Sequence, residues 1–331
     1  MSLSSETLEL LKEGENLLAF SGGTDSAALF HLLLNENITF DIIHVNYNTR
    51  VQSYDEEHYA KSLSRQHNKK CYIQSITLQS SNFEHNARNL RYSFFDEIMK
   101  EQSYSNLITA HQLNDRLEWF LMQLCKGAGL NELLGMQSIT AHNNYNIVRP
   151  ILHVNSEDIL SYLNSNSIIY FLDESNNNTK FKRNRFREDY ASPIIKEHSD
   201  AIAKSFEFLQ EDLNSFYEPS EVLHVNELFY FKTATNRRST LIEIDKTLKR
   251  CGYLMHQSEK ILLKDRNTVV IGRRFVVNIN SSYCFIAPYV KTVMDKVFKE
   301  RCRVLRIEPK LRGYLYENVE SFQTVELLLK G

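Results

Sequence analysis

The segment Ser21-Gly22-Gly23-Thr24-Asp25-Ser26 does most to limit what this chain can become. It follows the apolar run Asn16-Leu17-Leu18-Ala19-Phe20 and precedes an apolar-rich stretch from Ala27 to Leu34, so the order reads strand, tight glycine turn, helix. Such a turn aims several unpaired backbone N–H groups at one spot on the positive end of the helix dipole, which suits a phosphate chain. The pattern GxxxxGK[ST] is absent, and no lysine stands where the β- and γ-phosphates would need one. Asp25 occupies the turn instead, and a carboxylate beside a polyphosphate calls for a bridging cation such as Mg²⁺. The plainer reading makes Gly22-Gly23 an ordinary turn, with Asp25 or Ser26 capping the helix for about 1 kcal/mol.

Short β-branched runs near residues 16–20, 40–46, 71–77, 106–110 and 146–151 alternate with helical patterns. This alternation predicts an α/β fold with a doubly wound parallel sheet, whose ligands bind beyond the carboxyl ends of the strands where the strand order reverses. Ser21 to Ser26, His44 to Arg50 and His111 to Glu118 follow strands and are the segments to inspect. After Pro150 come a helix from Ser156 to Asn164, a polar loop from Asp173 to Thr179, and a long helical stretch to Tyr217. Glu218-Pro219-Ser220 reads as a break. Residues 1–217 are thus expected to form a larger domain with a linker helix, and 218–331 a smaller α+β domain. Within the latter, helices are expected over about 235–264 and strands over 268–271, 275–279 and 284–287.

A length of 331 residues with 42% hydrophobic content supports two domains with real cores. No stretch approaches the roughly 18 apolar residues of a membrane span, and Met1 to Glu15 lacks a signal-peptide pattern, so a cytoplasmic protein is expected. Cys71, Cys125, Cys251, Cys284 and Cys302 form no CxxC and no cluster with histidine at metal spacing, which argues against disulfides, structural zinc and iron–sulfur clusters. Glycine is scarce, at 10 residues against a usual ~7%. Gly22 and Gly23, and then Gly127, Gly129 and Gly135, concentrate half of them in two short segments, both candidate ligand loops.

The net charge of −2 does not announce a nucleic-acid binder, but its distribution is uneven. Lys180 to Arg187 holds five basic residues and no acid, and Lys291 to Arg312 holds eight against three acids. Basic runs are ordinarily solvated faces, yet two on a near-neutral chain permit a polyanion partner. On the helix after the third strand, Glu84, Arg88 and Arg91 share one face, which suits a phosphate or equally an exposed i,i+4 ion pair. After the fourth strand, Asp115 and Glu118 share a face with His111 just below them, an acid pair and an imidazole at the rim of the expected crevice. Helix-start chemistry is the alternative for these acids.

In these residues the chain resembles the N-type ATP pyrophosphatases, whose SGGxDS loop matches Ser21 to Ser26 without a gap, and within them the tRNA(Ile)-lysidine synthetase family. The resemblance is carried further by His44-Val45-Asn46, by Ala87 to Tyr92 (family ARxxRY) and by Thr109 to Glu118 (family TAHHxDDxxET). Lys126-Gly127-Ala128-Gly129 to Gly135-Met136, Arg149-Pro150, Asp173-Glu174-Ser175-Asn176 and Arg183 to Arg187 (family RNxxR) complete it, over about residues 16–193. Gln112, Asn114, Trp119 and Tyr47 depart from the family's His, Asp, Thr and His. No motif is recognised after Pro219.

The resemblance implies that ATP adenylates C2–O of the wobble cytidine in a tRNA(Ile) with a CAU anticodon, and that the ε-amine of free lysine then displaces AMP. It implies ATP and Mg²⁺ as cofactors, with Asp25 as metal ligand. The nucleotide set is Ser21, Gly22, Gly23, Thr24, Asp25, Ser26, His44, Asn46, Gly127 and Gly129. The catalytic set is His111, Asp115, Glu118, Arg88, Arg91 and Arg183, with Asp115 and Glu118 on the lysine ammonium and Arg183 on phosphate or the target nucleotide. The smaller domain is expected to contact tRNA; the oligomeric state is left open, a homodimer being one option. A tRNA thiolase is the nearest rival, though it would ordinarily bring cysteine pairs, and a non-catalytic nucleotide- or tRNA-binding protein is the alternative of another class.

Overall fold

A computed structural model describes residues 1–48, 52–76, 83–142, 144–172 and 182–330, the side chains of 83–85 and 182 excepted. The chain forms two compact units, Met1–Gln210 and Glu211–Gly331. The division falls inside the helix Ser192–Phe216, upstream of Glu218-Pro219-Ser220.

The first unit is built on six strands: β1 (Asn16–Ala19), β2 (Asp41–Asn46), β3 (Cys71–Ser75), β4 (Asn106–Ile108), β5 (Ile139–His142) and β6 (Tyr145–Val148). Their order is β3-β2-β1-β4-β6-β5, parallel throughout except that β5 pairs antiparallel with β6 as an edge. The doubly wound sheet expected from the sequence is therefore present, with the order reversing between β1 and β4. The edge strand β5 escaped the sequence reading because its four residues are only partly buried or exposed and carry no apolar run.

Alternation explains why both faces are covered. Leu18, Ile42, Ile108 and Val148 point to one face, where Phe30 and Leu33 of the helix Thr24–Asn35 and Ile159 and Leu163 of Ser156–Ser165 pack. Leu17, Ile43, Leu107 and Ile147 point to the other, against Phe94, Phe95, Ile98 and Met99 of the helix Phe83–Glu101. Each fully buried Leu or Ile contributes about 1.5–3 kcal/mol, so a one-residue slip of any central strand would exchange core for core but misplace every loop residue at its end.

Register is pinned at the opposite end of the sheet by an asparagine ladder. Asn16 faces Asn106, and Asn106 faces Asn146. The Asn106 amide donates to Asn16 Oδ1 (3.0 Å), and the Asn146 amide to Asn106 Oδ1 (3.2 Å). Asn16 and Asn106 are almost fully buried. Asn106→Leu is expected to lose about 1–3 kcal/mol, because Asn16 Oδ1 is left buried without its donor. Urea midpoints check this, and a loss under about 0.5 kcal/mol would show that the ladder contributes nothing.

The second unit has an antiparallel sheet of β7 (Leu223–Val225), β8 (Leu228–Lys232), β9 (Thr268–Ile271), β10 (Phe275–Ile279) and β11 (Tyr283–Pro288), ordered β7-β8-β11-β10-β9. Helices Arg237–Arg250 and Gln257–Asp265 bury Ile244, Leu248 and Leu263 on one face. Lys296–Val304, Pro309–Glu317 and Val319–Lys330 bury Cys302, Leu311, Leu315 and Phe322 on the other. This is the expected α+β composition, with three terminal helices that the sequence reading took only as a basic run. Among the described residues no helix is long and apolar enough to cross a membrane.

Candidate active site

The strand β1 ends at the loop, and Phe20 N still donates to Ile43 O, so the turn begins in register with the sheet. Gly22 has φ +84°, a left-handed conformation that favours glycine, and a Cβ there would come within 3.3 Å of Glu56 Cβ and Cγ. Gly23 is the N-cap of Thr24–Asn35 and supplies no side chain to its first amides. The Ser26 hydroxyl is buried beneath the loop, where it accepts from Ser21 N (3.2 Å) and Gly22 N (3.1 Å) and donates to Gly23 O (3.1 Å). Ser26 therefore shapes the loop, while Ser21 is exposed on it.

A cavity of about 790 Å³ opens from this loop at the point where the strand order reverses. Ser21, Gly23, Thr24, Asp25 and Ser26 form its polar end, and Ile43, Val45, Tyr92 and Phe95 an apolar wall. Tyr47, Glu56 and Arg91 line it, as do Thr109, Ala110 and His111 at the end of β4 and Phe171 and Leu172. An apolar wall facing an amide-rich turn suits a base at one end and phosphates at the other.

Asp25 is pushed up to about 7, chiefly by burial and then by the nearby charge of Asp115, with Arg187 and the Thr24 hydroxyl partly opposing. A carboxylate so short of counter-charge fits a cation ligand. Among the described residues no group of three or more His, Cys, Asp or Glu side chains could hold a metal ion unaided. One carboxylate plus substrate phosphates is the usual Mg²⁺ arrangement.

Beside the loop, the helix Leu113–Leu124 presents Asp115 and Glu118 to Arg183 of Lys182–Phe186 and to Arg187, which opens a π-helical turn, Arg187–Ala191. Arg183 donates from Nε to Glu118 Oε1 (2.5 Å) and from Nη2 to Asp115 Oδ1 (3.3 Å). Arg187 donates from Nε to Glu118 Oε2 (3.0 Å) and from Nη2 to Asp115 Oδ1. The side chains of Asp115 and Glu118 are only 8% and 3% exposed, so two buried anions are balanced by two guanidiniums. Burial raises Asp115, but Arg187, His111 and Arg183 together hold it below its ordinary value. Asp115 also accepts from Gln112 N (3.1 Å), so the helix-start role and the charged cluster coexist in one residue.

His111 lies with Nδ1 2.9 Å from Thr109 Oγ1 and is lowered to about 4, chiefly by burial, against the opposing pull of Asp115. It is neutral at pH 7. An unfolded imidazole takes a proton near 6.5, so between about pH 6.5 and 4 the unfolded chain binds more protons and stability falls as the pH drops. Asp25 contributes the opposite trend over the same range, so the test is the difference between proteins: His111→Asn is expected to gain stability relative to wild type as the pH falls. Urea midpoints at pH 7 and 4.5 check it; the same pH dependence in both proteins would place the imidazole in water.

Several expected residues lie elsewhere. Strand alternation puts Ile43 and Val45 on the cavity and His44 and Asn46 on the opposite face. His44 Nδ1 pairs with Phe20 O (2.9 Å), and Asn46 donates to Glu57 (2.8 Å). Arg88 is exposed with its guanidinium 4.9 Å from the Tyr92 ring, while Arg91 lines the cavity. Gly127 and Gly129 belong to the turn before the helix Leu130–Leu133 and do not line the cavity. Gln112 accepts from Asn114 N, Asn114 accepts from Ser156 N, and Trp119 donates to Glu132 O, so three of the four departures from the family pattern serve local structure. Asp173 to Asn176 and Lys180 lie outside the described residues, as does the side chain of Glu84. Glu56 and Phe171 were not singled out from sequence; Arg187 was read as the end of the basic run and of the RNxxR segment but not as a site residue, although its i,i+4 spacing from Arg183 puts both on one helix face.

A family model for the PP-loop domain matches residues 3–192. A tRNA(Ile)-lysidine synthase of Helicobacter pylori is 44% identical over 98% of this chain and 96% of its own length. The chain belongs to the tRNA(Ile)-lysidine synthase family. A second member, from Wolinella succinogenes, is 42% identical over 93% of this chain and 94% of its own, and one from Campylobacter jejuni 40% over 96% and 97%. Among solved structures, the U34-tRNA thiolase NcsA of Methanococcus maripaludis is similar in fold, with a TM-score of 0.50 and 16% identity over 63% of this chain and 75% of its own. Family membership for this chain rests on near full-length identity, which reaches through the second unit where no motif was readable.

Proposed function

We propose that this protein joins lysine to C2 of the wobble cytidine of tRNA(Ile) with a CAU anticodon, at the expense of ATP. The reading is supported by family membership and carried structurally by one juxtaposition: an amide-rich phosphate loop and His111 line one cavity, and a buried acid and arginine cluster, itself not part of the lining, lies close enough for the charge of Asp115 to act on both Asp25 and His111. Cytidine O2 attacks the α-phosphorus and pyrophosphate leaves; lysine Nε then attacks C2, AMP leaves with O2, and one proton passes to the protein. Mg²⁺, held by Asp25 and the phosphates, would neutralise the leaving pyrophosphate. The amides of Gly23 to Ser26 receive it, and Arg91 offsets charge at the α-phosphate.

The free amine is the scarce species, since a lysine ammonium with a reference pKa near 10.4 is about 99.9% protonated at neutral pH, a cost of roughly 4–5 kcal/mol. Asp115 and Glu118 meet that need by receiving the ammonium and taking its proton. Both are engaged by arginine, so lysine must replace a guanidinium. Arg183, with its side chain 40% exposed against 26% for Arg187, is the partner that yields and turns to phosphate. Neutral His111 contacts the activated nucleotide. The run Lys291 to Arg312 faces tRNA; Arg301 and Arg303 are paired with Glu326 and Glu300 and Arg312 donates to Ile307 O, which leaves Lys291, Lys296, Lys299, Arg306 and Lys310 exposed for phosphates.

Incubation with labelled lysine, ATP, Mg²⁺ and unmodified tRNA(Ile) transcript, followed by nucleoside analysis, is expected to place label in a modified cytidine. Pyrophosphate release without label in RNA would turn the reading toward another PP-loop tRNA modification, and ATP binding with no release toward a sensor.

A further inference from the structure

Six residues after the helix Ser156–Ser165, the chain returns to the phosphate loop and makes one residue of parallel strand with it, Gly23 opposite Phe171. Phe171 N donates to Gly22 O at 3.0 Å. The returning segment is held from its other side by the helix Gln52–Gln66: Tyr59 Oη donates to Ile169 O (2.8 Å), and Gln52 Nε2 to Leu172 O (3.3 Å). The Tyr59 ring stands 5.8 Å from both Phe171 and Phe20, so ring packing and backbone bonds fix the same segment.

A trans peptide holds its C=O and N–H in one plane, pointing in opposite directions. Gly22 is at φ +84°, and glycine dihedrals on either side of a peptide allow that plane to rotate at little cost. In one orientation Gly23 N–H faces the cavity and Gly22 O faces away. In the other the carbonyl oxygen enters the anion site and the amide leaves it. The two differ by a donor gained or an acceptor imposed beside phosphate oxygens, so they cannot bind pyrophosphate equally. With Gly22 O taken by Phe171 N, Gly23 N points the opposite way, toward Ser21 Oγ (3.3 Å) on the cavity side.

We propose that the backbone N–H of Phe171 is the positioning group that fixes the polarity of the Gly22–Gly23 peptide and so makes the loop a pyrophosphate acceptor. It touches no substrate and acts through the loop. The inference rests on the nucleotide reading of the cavity. It also requires residue 171 to have an N–H, which the aromatic ring by itself does not demand.

The test uses the full chain and titrates inorganic pyrophosphate with Mg²⁺ by calorimetry. Replacement of Phe171 by phenyllactate, which exchanges N–H for an ester oxygen and keeps the ring, is expected to raise Kd about tenfold. Phe171→Ala keeps the N–H and is expected to weaken binding less than the ester does, and Phe171→Pro at least as much. In the wild type, amide hydrogen exchange at Phe171 is expected to slow when pyrophosphate binds, a response that a purely structural bond would not give. An ester that binds like wild type, an alanine variant weaker than the ester, or an exchange rate indifferent to pyrophosphate would each overturn the proposal. Failure of the wild type to bind pyrophosphate would instead remove the nucleotide reading beneath it.

Discussion

Arg187→Ala is expected to destabilise the protein by about 3–5 kcal/mol, the cost typical of removing one partner from a buried ion cluster. Asp115 and Glu118 would then share Arg183 alone, and their surplus negative charge sits at side chains 8% and 3% exposed. Deletion of an exposed ion pair would cost under about 1 kcal/mol, so the magnitude itself reports on burial. The single tryptophan, Trp119, lies on the helix that carries both acids, and its fluorescence during urea unfolding follows this unit directly. The double variant Arg187→Ala/Asp115→Asn should recover part of the loss, because the orphaned charge is removed with its partner. A loss below about 1 kcal/mol, or no recovery, would mean that the four side chains do not form one charge-balanced group.

On the proposal that Asp25 holds Mg²⁺ against the phosphates, Asp25→Asn is expected to lower kcat/KM for ATP-dependent turnover by about 10²–10³. The same variant should be more heat-stable than wild type when metal and nucleotide are absent. Burial and Asp115 raise Asp25 to about 7, whereas the unfolded carboxyl titrates near 3.9. Between those values the folded chain binds more protons, so its stability falls as the pH rises and stays lower above pH 7. Asparagine removes that penalty, and each kcal/mol regained is worth roughly 2–4 °C in Tm for a unit of this size. The advantage should shrink as the pH approaches 4. Equal Tm at pH 8 with unchanged turnover would separate Asp25 from both roles. The pairing of lost activity with gained stability is the ordinary signature of a strained functional site.

The readable part of the site is the part made by local chain geometry. Ser21 to Ser26 could be placed at a strand-to-helix turn because glycine scarcity and the flanking apolar runs leave little else for them to form. Thr109 to Glu118 could be placed at the end of a strand for the same reason. The sheet order then brought the loop and Thr109 to His111 to one crevice, as a doubly wound topology requires, while Asp115 and Glu118 lie outside its lining. His44 shows where such reasoning stops. Position after a strand suggested a ligand, but the period of two decided the face, and it is the face of Ile42, opposite the cavity that Ile43 and Val45 line.

Gln112, Asn114 and Trp119 mark a second limit. Their departures from the family pattern are visible in sequence, but what each does instead depends on a helix start, a neighbouring helix and a backbone carbonyl. Asp115 answers two readings at once, since its Oδ2 caps the helix start while its Oδ1 meets Arg187.

Sequence alone determined that this chain carries a glycine turn between the first parallel strand and a helix, with an acid pair and an imidazole after the fourth. Those features are set by contacts within a few residues, where glycine freedom, apolar period and dipole direction act. Tertiary structure alone decided that Arg183 and Arg187 close on Asp115 and Glu118 from some 70 residues away, and that Phe171 grips Gly22 across nearly 150. No local pattern encodes those meetings, because their energy comes from burying charges and backbone groups together, and burial exists only once the sheet and its helices have assembled.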